Sequence, residues 1–384
     1  MGHVTLARTG VTAIVPHAGN IYRDRPRAGH FVFNGYGKSV GLVQLGELGL
    51  LETPILLTNT LSVWTAANAL VSYSLERNPE IGLGGGTVNP VVGECSDAYL
   101  NDIRSRRVTE ADCLRALAGA RGGPVAEGNV GAGTGMSCLG FKGGLGASSR
   151  VITFETRGAK GNAAAAVGGI APPGALAAAT SFTMGCLVVA NFGRLSEFRL
   201  DGVPVGRALE EAGWPGSKGE PATSEESATA GRPATSEDEE RPRATPAPSA
   251  GDPEAAVPGG SIMIVLATDA PLTSRQLTRV SRRATFGLAR TGSVGAHGSG
   301  DFVLAFSTAD LEPAYPEQPI LLHRALAEDD RHFGPLFQAA AEVTEEAIIN
   351  ALFAATTMIG RDGNVRQALP VEEVVGILRR HGRL

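Results

Sequence analysis

One stretch of the 384-residue sequence cannot contribute to a folded core. Pro215 to Pro258 contains no aromatic residue, carries the motif PATSE twice, and has Val257 as its one aliphatic residue other than alanine. So few apolar groups cannot offset the entropy lost when a chain is ordered. We therefore predict that 215–258 is a disordered acidic and proline-rich insert, which separates residues 1–214 from residues 259–384.

The sequence after the insert reads as a buried strand from its first residue. Gly259 and Gly260 are followed by SIMIVLATDAPL, Ser261 to Leu272, which opens with β-branched and apolar residues and no turn signal. A flexible linker between two domains is the plainer interpretation of the insert. A disordered segment that leads directly into a core strand instead places Ser261 at the first position of that strand.

A serine in this position has a specific chemistry open to it. Its hydroxyl can attack the preceding carbonyl, and Gly260 removes the Cβ that would hinder a strained geometry there. Hydrolysis of the resulting ester leaves Ser261 with a free α-amine, whose reference pKa is roughly 7.7–8.0. That amine can then act as the base for its own hydroxyl. Gly-Ser pairs are common, so the flanking insert and strand carry this hypothesis.

Four other polar residues are possible members of such a site. Ser299 and Asp301 are two residues apart and share a face if extended, although a solvated glycine-rich turn is the plainer reading. Asn191 closes the apolar run LVVANFG and is either a turn residue or an oxyanion donor. Glu127 lies at the edge of a run with seven glycines, Ala126 to Arg150, and either pairs with a substrate ammonium or is simply exposed.

Composition excludes several other functions. The net charge of −5 gives no basic surface for nucleic acid and no polybasic patch for a membrane. The glycine-rich run lacks the spacing of a phosphate-binding loop. The four cysteines match no zinc pattern, so we expect them to be reduced and mostly buried, and we expect no metal or other cofactor. Without a signal segment or an apolar run of about 18 residues, a cytoplasmic protein is expected.

Strand and helix signals occur in both parts of the chain, which favours a layered mixed α/β fold. Strands are predicted at Thr180–Gly193, ending at Asn191, and at Phe302–Ala309, while Gly29–Gly37 resembles one arm of a hairpin. Helices are predicted at Ser62–Leu75, Thr273–Arg290 and Pro335–Thr357. In the last of these, Thr344 and the two glutamates after it suit a helix N-terminus.

Together these residues resemble the peptidase family of L-aminopeptidase/D-amidase-esterase and the β-peptidyl aminopeptidases. The resemblance covers nearly the whole chain apart from the insert. The segments that carry it are GVTAIVPHAGN (10–20), LGLLETPILLTNTLSVW (48–64), TVNPVVGECSDAYLNDI (87–103), EGNVGAGTGMSCLGFKGG (127–144), VVANFGR (188–194), GGSIMIVLATDAPL (259–272), LARTGSVGAHGSGDFVLAFST (288–308) and TEEAIINAL (344–352).

The resemblance implies a single αββα domain, layered like the N-terminal-nucleophile hydrolases with the connectivity of ornithine acetyltransferase. It implies cleavage at Gly260-Ser261 into an α chain, 1–260, and a β chain, 261–384, which stay together and form a homo-oligomer, a tetramer of cleaved pairs. The long insert is not expected of the family generally.

The resemblance also implies roles for the polar residues. Ser261 is the nucleophile, assisted by Ser299 and Asp301, where many relatives have Glu in place of Asp301. Asn191 stabilises the oxyanion, and Glu127 binds the free amine of the substrate. Some relatives have a Tyr that helps at the oxyanion, and residues 126–150 contain none.

The expected activity is hydrolysis of an N-terminal aminoacyl peptide, amide or ester. Two alternatives remain open at this point. One is a related amide-oligomer hydrolase or an acyltransferase, in which an amine replaces water. The other is a precursor that is never cleaved and acts as a binding scaffold with an extended acidic loop.

Overall fold

A five-stranded sheet forms the centre of the molecule in a computed structural model that describes residues 7–84, 86–155, 179–214 and 260–384. The predicted insert 215–258 lies outside these residues. The order of the large sheet is β2-β10-β9-β8-β7, and β9 and β10 are parallel while the other neighbours are antiparallel. The strands are β2 (Asp24–Gly35), β7 (Gly144–Glu155), β8 (Ala179–Asn191), β9 (Ser261–Thr268) and β10 (Gly300–Pro313).

A three-stranded sheet of order β1-β3-β4 packs on the large sheet. Its strands are β1 (Thr12–Ile14), β3 (Ile55–Asn59) and β4 (Val91–Cys95). Two short hairpins complete the strands, β5 (Ser137–Cys138) with β6 (Phe141–Lys142) and β11 (Met358–Ile359) with β12 (Val365–Arg366).

Strand β9 is buried on both of its faces, as its continuous apolar sequence predicts. Ile262, Ile264 and Leu266 belong to the core that the large sheet shares with helices α5 (Ser274–Arg290) and α6 (Asp330–Phe353). Met263 and Val265 point the other way, into the core between the two sheets. The strand that begins with Ser261 is therefore central in the molecule.

The small sheet repeats this arrangement and completes the layers. Ile55 and Leu57 of β3 face the core between the sheets, whereas Leu56 faces a third core beneath helices α2 (Val63–Arg77) and α3 (Glu110–Ala118). The order of layers is helix, sheet, sheet, helix, so the predicted αββα sandwich is confirmed. The remaining α-helices of the described residues are α1 (Leu42–Leu48), α4 (Val205–Glu211) and α7 (Val371–Arg380).

Two of the three predicted long helices have nearly the predicted bounds. Helix α5 begins after Thr273, whose side chain forms a capping box with Gln276. Helix α6 differs from the prediction, because it begins at Asp330 after the cap residue Asp329 and ends at Phe353. Pro335 lies inside this helix, in its second turn, where it has no N–H to donate to the carbonyl oxygen of Arg331.

All four cysteines are buried and free, as predicted. In the part of the chain that the structure describes, no helix is both long and apolar enough to cross a membrane.

Candidate active site

Ser261 lies where three neighbouring strands of the large sheet begin or end. Ser261 opens β9, and its ladder partner on the antiparallel strand β8 is Asn191, the last residue of that strand. On the parallel strand β10 its partner is Gly300, the first residue of that strand. The sheet thus places Asn191 on one side of Ser261 and Gly300, flanked by Ser299 and Asp301, on the other. The four residues predicted to be catalytic, Ser261, Ser299, Asp301 and Asn191, are brought together.

The peptide bond before Ser261 is held by main-chain contacts. The carbonyl oxygen of Gly260 accepts a hydrogen bond of 3.1 Å from the N–H of Gly300. A Cβ on residue 260 would lie 2.0 Å from the carbonyl oxygen of Asn191 and 2.5 Å from Cα of Phe192. Glycine is therefore required here by close packing against the end of β8, and the carbonyl of Gly260 points at a main-chain donor.

Ser261 is buried and its hydroxyl oxygen is uncommitted. Ser261 is 5% exposed, and its Oγ forms no hydrogen bond with any residue that the structure describes. Its polar neighbour is the thiol of Cys95, the last residue of β4, which donates to the carbonyl oxygen of Val189 over 3.4 Å. Burial raises the pKa of the Cys95 thiol far above its usual range, so this group stays protonated beside the serine.

Ser299 and Asp301 form a buried hydrogen-bonded pair. Oγ of Ser299 donates to Oδ1 of Asp301 over 2.5 Å, and the two residues are 3% and 2% exposed. Burial raises the pKa of Asp301 to about 6, partly offset by hydrogen bonds from Ser299 and from the N–H of Ile262. Ile262 follows the nucleophile and is the ladder partner of Asp301, so this carboxyl group lies beside the start of β9.

Asn191 is oriented by the glycine-rich segment. Its Oδ1 accepts a hydrogen bond of 2.8 Å from the N–H of Ser137, and the residue is 7% exposed. Because its oxygen is occupied, the side chain presents its NH₂ group as the free polar end. An NH₂ donor at the end of the strand beside Ser261 is suited to hold an oxyanion.

Glu127 is not beside the other four residues within one chain. Its Oε1 accepts a hydrogen bond of 2.7 Å from the N–H of Ala147 on β7, the edge strand of the large sheet. Ala147 pairs with Leu187, four residues before Asn191 on β8. At about 3.4 Å per residue, this row lies roughly 14 Å along the sheet from Ser261. Its role in binding the substrate's amine stays a prediction.

Some groups at the site carry no sequence signal of the kind used above. The thiol of Cys95 was expected to be only a buried apolar group, and the N–H groups of Gly300 and Ser137 belong to the main chain. Within the described ranges, no group of three or more His, Cys, Asp or Glu side chains is placed to hold a metal ion. The chemistry of this arrangement is that of a serine, a buried carboxyl group and hydrogen-bond donors.

Comparison with known proteins gives matches along the whole chain. The model of peptidase family S58 matches residues 1–366. The β-peptidyl aminopeptidase BapA of Sphingosinicella microcystinivorans is 36% identical over 377 residues, which are 98% of this chain and 81% of that protein.

Solved structures give the same picture. The PH0078 protein of Pyrococcus horikoshii OT3 is 44% identical with a TM-score of 0.77, and the alignment covers 100% of this chain and 90% of that one. The L-aminopeptidase D-Ala-esterase/amidase of Ochrobactrum anthropi is 33% identical with a TM-score of 0.76, covering 99% and 88%. The latter is described as a prototype for the serine aminopeptidases and a new variant among the Ntn hydrolase fold.

Proposed function

The chain belongs to peptidase family S58, and from that premise we propose that Ser261 is the nucleophile with which it cuts itself and then hydrolyses its substrates. The protein is a hydrolase, a self-processing serine aminopeptidase of the N-terminal-nucleophile type. One observation above all supports Ser261: the carbonyl oxygen of Gly260 accepts a hydrogen bond from Gly300 directly beside an uncommitted, buried serine hydroxyl.

Self-cleavage uses the bond between Gly260 and Ser261. The Oγ of Ser261 attacks the carbonyl carbon of Gly260, and the N–H of Gly300 stabilises the charge that develops on the carbonyl oxygen. The C–N bond breaks, and the proton lost from Oγ ends on the leaving nitrogen. Water then hydrolyses the ester, which gives a carboxylate at Gly260 and a free amine at Ser261.

Turnover of a substrate repeats the same attack on a second carbonyl. The new α-amine of Ser261 accepts the proton of its own hydroxyl, and the hydrogen-bonded Ser299 and Asp301 polarise this end of the strand. Departure of the Gly260 carbonyl frees the N–H of Gly300. This group and the NH₂ of Asn191 then bind the substrate oxyanion from the two neighbouring strands. Water releases the acyl group.

The substrates have an N-terminal aminoacyl group on a peptide, amide or ester. Because one relative is named a β-peptidyl aminopeptidase, we include β-aminoacyl groups among the substrates of this chain. The predicted tetramer of cleaved pairs and the cytoplasmic location remain parts of this proposal. Sedimentation of the purified protein tests the first and cell fractionation the second.

The proposal is tested by the mass of the purified protein and a substrate panel. We expect two chains, residues 1–260 and 261–384, with Ser261 as the new N-terminus. We expect hydrolysis of L-alanyl and β-alanyl p-nitroanilides, measured with and without an added amine. A single inactive chain of 39.5 kDa would contradict the proposal and favour the scaffold. Transfer to the amine at the expense of hydrolysis would favour the acyltransferase.

We expect Gly260→Ala to slow self-cleavage about 10- to 100-fold without changing the finished enzyme. The added Cβ would lie 2.0 Å from the carbonyl oxygen of Asn191, so the scissile carbonyl must shift from the N–H of Gly300. Overpacking of this kind costs about 1–3 kcal/mol, which is about 10- to 100-fold in a rate. After cleavage residue 260 is the C-terminus of the α chain and takes no further part in the reaction, so kcat per cleaved site is unchanged.

Gel analysis of a time course after expression measures this rate. Gly259→Ala, one residue upstream of the scissile pair, is the matched control and is expected to cleave like the original chain. Cleavage of Gly260→Ala at the original rate would show that the close approach to β8 is not needed for the reaction.

A further inference from the structure

Lys142 has an amine that is buried without a counterion among the residues that the structure describes. It is 0% exposed, and the ion pairs found among the described residues do not include it. Its Nζ donates to two main-chain carbonyl oxygens, that of Gly133 over 3.1 Å and that of Gly143 over 2.7 Å. Burial lowers the pKa of this amine to about 7, partly opposed by the thiol of Cys138. A buried lysine is costly to keep, so the contacts that it makes require an explanation.

The two carbonyl oxygens belong to the two ends of one turn. We call residues 133–143 the glycine turn, and it contains the hairpin of β5 and β6. A Cβ on Gly133 would lie 2.2 Å from the nitrogen of Leu145, and one on Gly143 would lie 2.3 Å from the carbonyl oxygen of Ala190. Both ends of the turn thus press against β7 and β8, and the amine of Lys142 ties them together.

The glycine turn contacts the active site directly. Ser137, the hairpin partner of Lys142, donates its N–H to Oδ1 of Asn191 over 2.8 Å. Two residues later the N–H of Leu139 donates to the carbonyl oxygen of Phe192 over 2.6 Å. Leu139 has φ of +51°, a conformation that few non-glycine residues adopt and that the surrounding contacts must maintain. The turn therefore holds the side-chain amide of Asn191 by its oxygen and holds the main chain at the next residue, Phe192.

We propose that Lys142 is a positioning residue for the reaction, acting through the glycine turn to hold the amide of Asn191 toward the oxyanion. This inference rests on the proposed function, because it needs Asn191 to be the oxyanion donor. Lys142 itself touches neither the substrate nor the nucleophile. Its amine closes the turn, the turn presents the N–H of Ser137, and that N–H decides which end of the Asn191 amide faces the site.

Loss of the amine is expected to lower kcat rather than raise KM. Without Nζ the carbonyl oxygen of Gly143 loses this donor, and the carbonyl oxygen of Gly133 keeps only the 3.3 Å hydrogen bond from the N–H of Met136, so the turn must relax. The Asn191 amide then loses its fixed orientation. An oxyanion contact forms in the transition state, so misplacing its donor affects the chemical step and leaves substrate binding nearly unchanged.

A double-mutant cycle between Lys142 and Asn191 tests the proposal. We expect kcat of Lys142→Met to fall about 10- to 100-fold and kcat of Asn191→Ala about 100- to 1000-fold, each with KM within about threefold of the original. If Lys142 acts through Asn191, the double variant is no slower than Asn191→Ala alone, within about threefold. If instead the two losses multiply, Lys142 does not act through Asn191 and the proposal is overturned.

Two further variants make the result decisive. Lys142→Gln keeps N–H donors without the charge, so we expect it to retain more kcat than Lys142→Met, and it carries the cycle if Lys142→Met precipitates. Lys38→Met is the matched control, since it removes an exposed amine that donates to the carbonyl oxygen of Tyr36; its kcat should be unchanged. Original kcat in Asn191→Ala would instead overturn the role of Asn191 in the proposed function, a separate outcome.

Discussion

Ser261→Ala is expected to remain one intact chain of 39.5 kDa and to lose aminopeptidase activity by at least about 10⁴-fold. Self-cleavage and substrate hydrolysis are both expected to begin with attack by the Oγ of Ser261. The carbonyl that it would attack first, that of Gly260, already accepts a hydrogen bond from the N–H of Gly300. Intact mass measures the first loss and release of p-nitroaniline the second. This variant should show the largest effect of any single substitution in the chain.

The stability of this variant separates catalysis from folding. Because Oγ of Ser261 has no hydrogen-bond partner among the described residues, its removal should change the free energy of unfolding by less than about 1 kcal/mol. Ser281→Ala is a matched control, since Ser281 is equally buried but its hydroxyl donates to the carbonyl oxygen of Leu277 within α5. It should still cleave. Cleavage and activity in Ser261→Ala would remove Ser261 from the mechanism.

The position of the nucleophile strand could be predicted from sequence because its evidence is local. A continuous apolar run after a low-complexity segment predicts a buried strand, and β9 does begin at Ser261. The start of α6 could not be placed in this way. Thr344 resembles an N-cap in the sequence, yet it lies within the helix, 0% exposed, and its hydroxyl donates to the carbonyl oxygen of Ala340. The same residue type satisfies either position, and tertiary packing decides between them.

The pairing of strands that are distant in the sequence could not be predicted either. Gly29–Gly37 resembles a hairpin arm, but β2 pairs with β10, more than 250 residues later, so the hairpin prediction is wrong. An alternating pattern shows which face is buried and carries no information about a distant partner. The same pairing brings Asn34 beside Asp301, which places β2 at the edge of the active site.

The side chains of the candidate site could be predicted from the sequence, whereas its main-chain groups could not. Ser261, Ser299, Asp301 and Asn191 were identified by residue type and resemblance, and the structure places them together. The N–H of Gly300 could not be identified in this way, because every residue except proline has a main-chain N–H. Lys142 does carry a signal, since a lone lysine in the run CLGFKGGLG is unusual among apolar residues and glycines. A buried lysine of this kind marks a position where its amine donates to main-chain oxygens.

Asp301→Asn is expected to lower activity about 10²- to 10⁴-fold while leaving the protein at least as stable at neutral pH. Burial raises the pKa of Asp301 from 3.8 to about 6, so the folded protein binds more protons than the unfolded chain between these two values. Stability contributed by this group is therefore present at low pH and is lost as pH rises toward 6. Above pH 6 the buried carboxylate costs up to about 3 kcal/mol.

An uncharged asparagine of the same shape removes that cost, and it also removes the negative charge that polarises Ser299 while keeping an oxygen that can accept its hydrogen bond. Stability and activity should therefore move in opposite directions. Thermal unfolding from pH 4 to pH 7.5 should show a smaller loss of stability with rising pH in Asp301→Asn than in the original protein. Asp269→Asn is the matched control, because Asp269 is exposed at the end of β9 and accepts a hydrogen bond from the N–H of Thr183. A lower melting temperature for Asp301→Asn at pH 7.5, with activity retained, would show that the carboxylate is a structural anchor rather than part of the reaction.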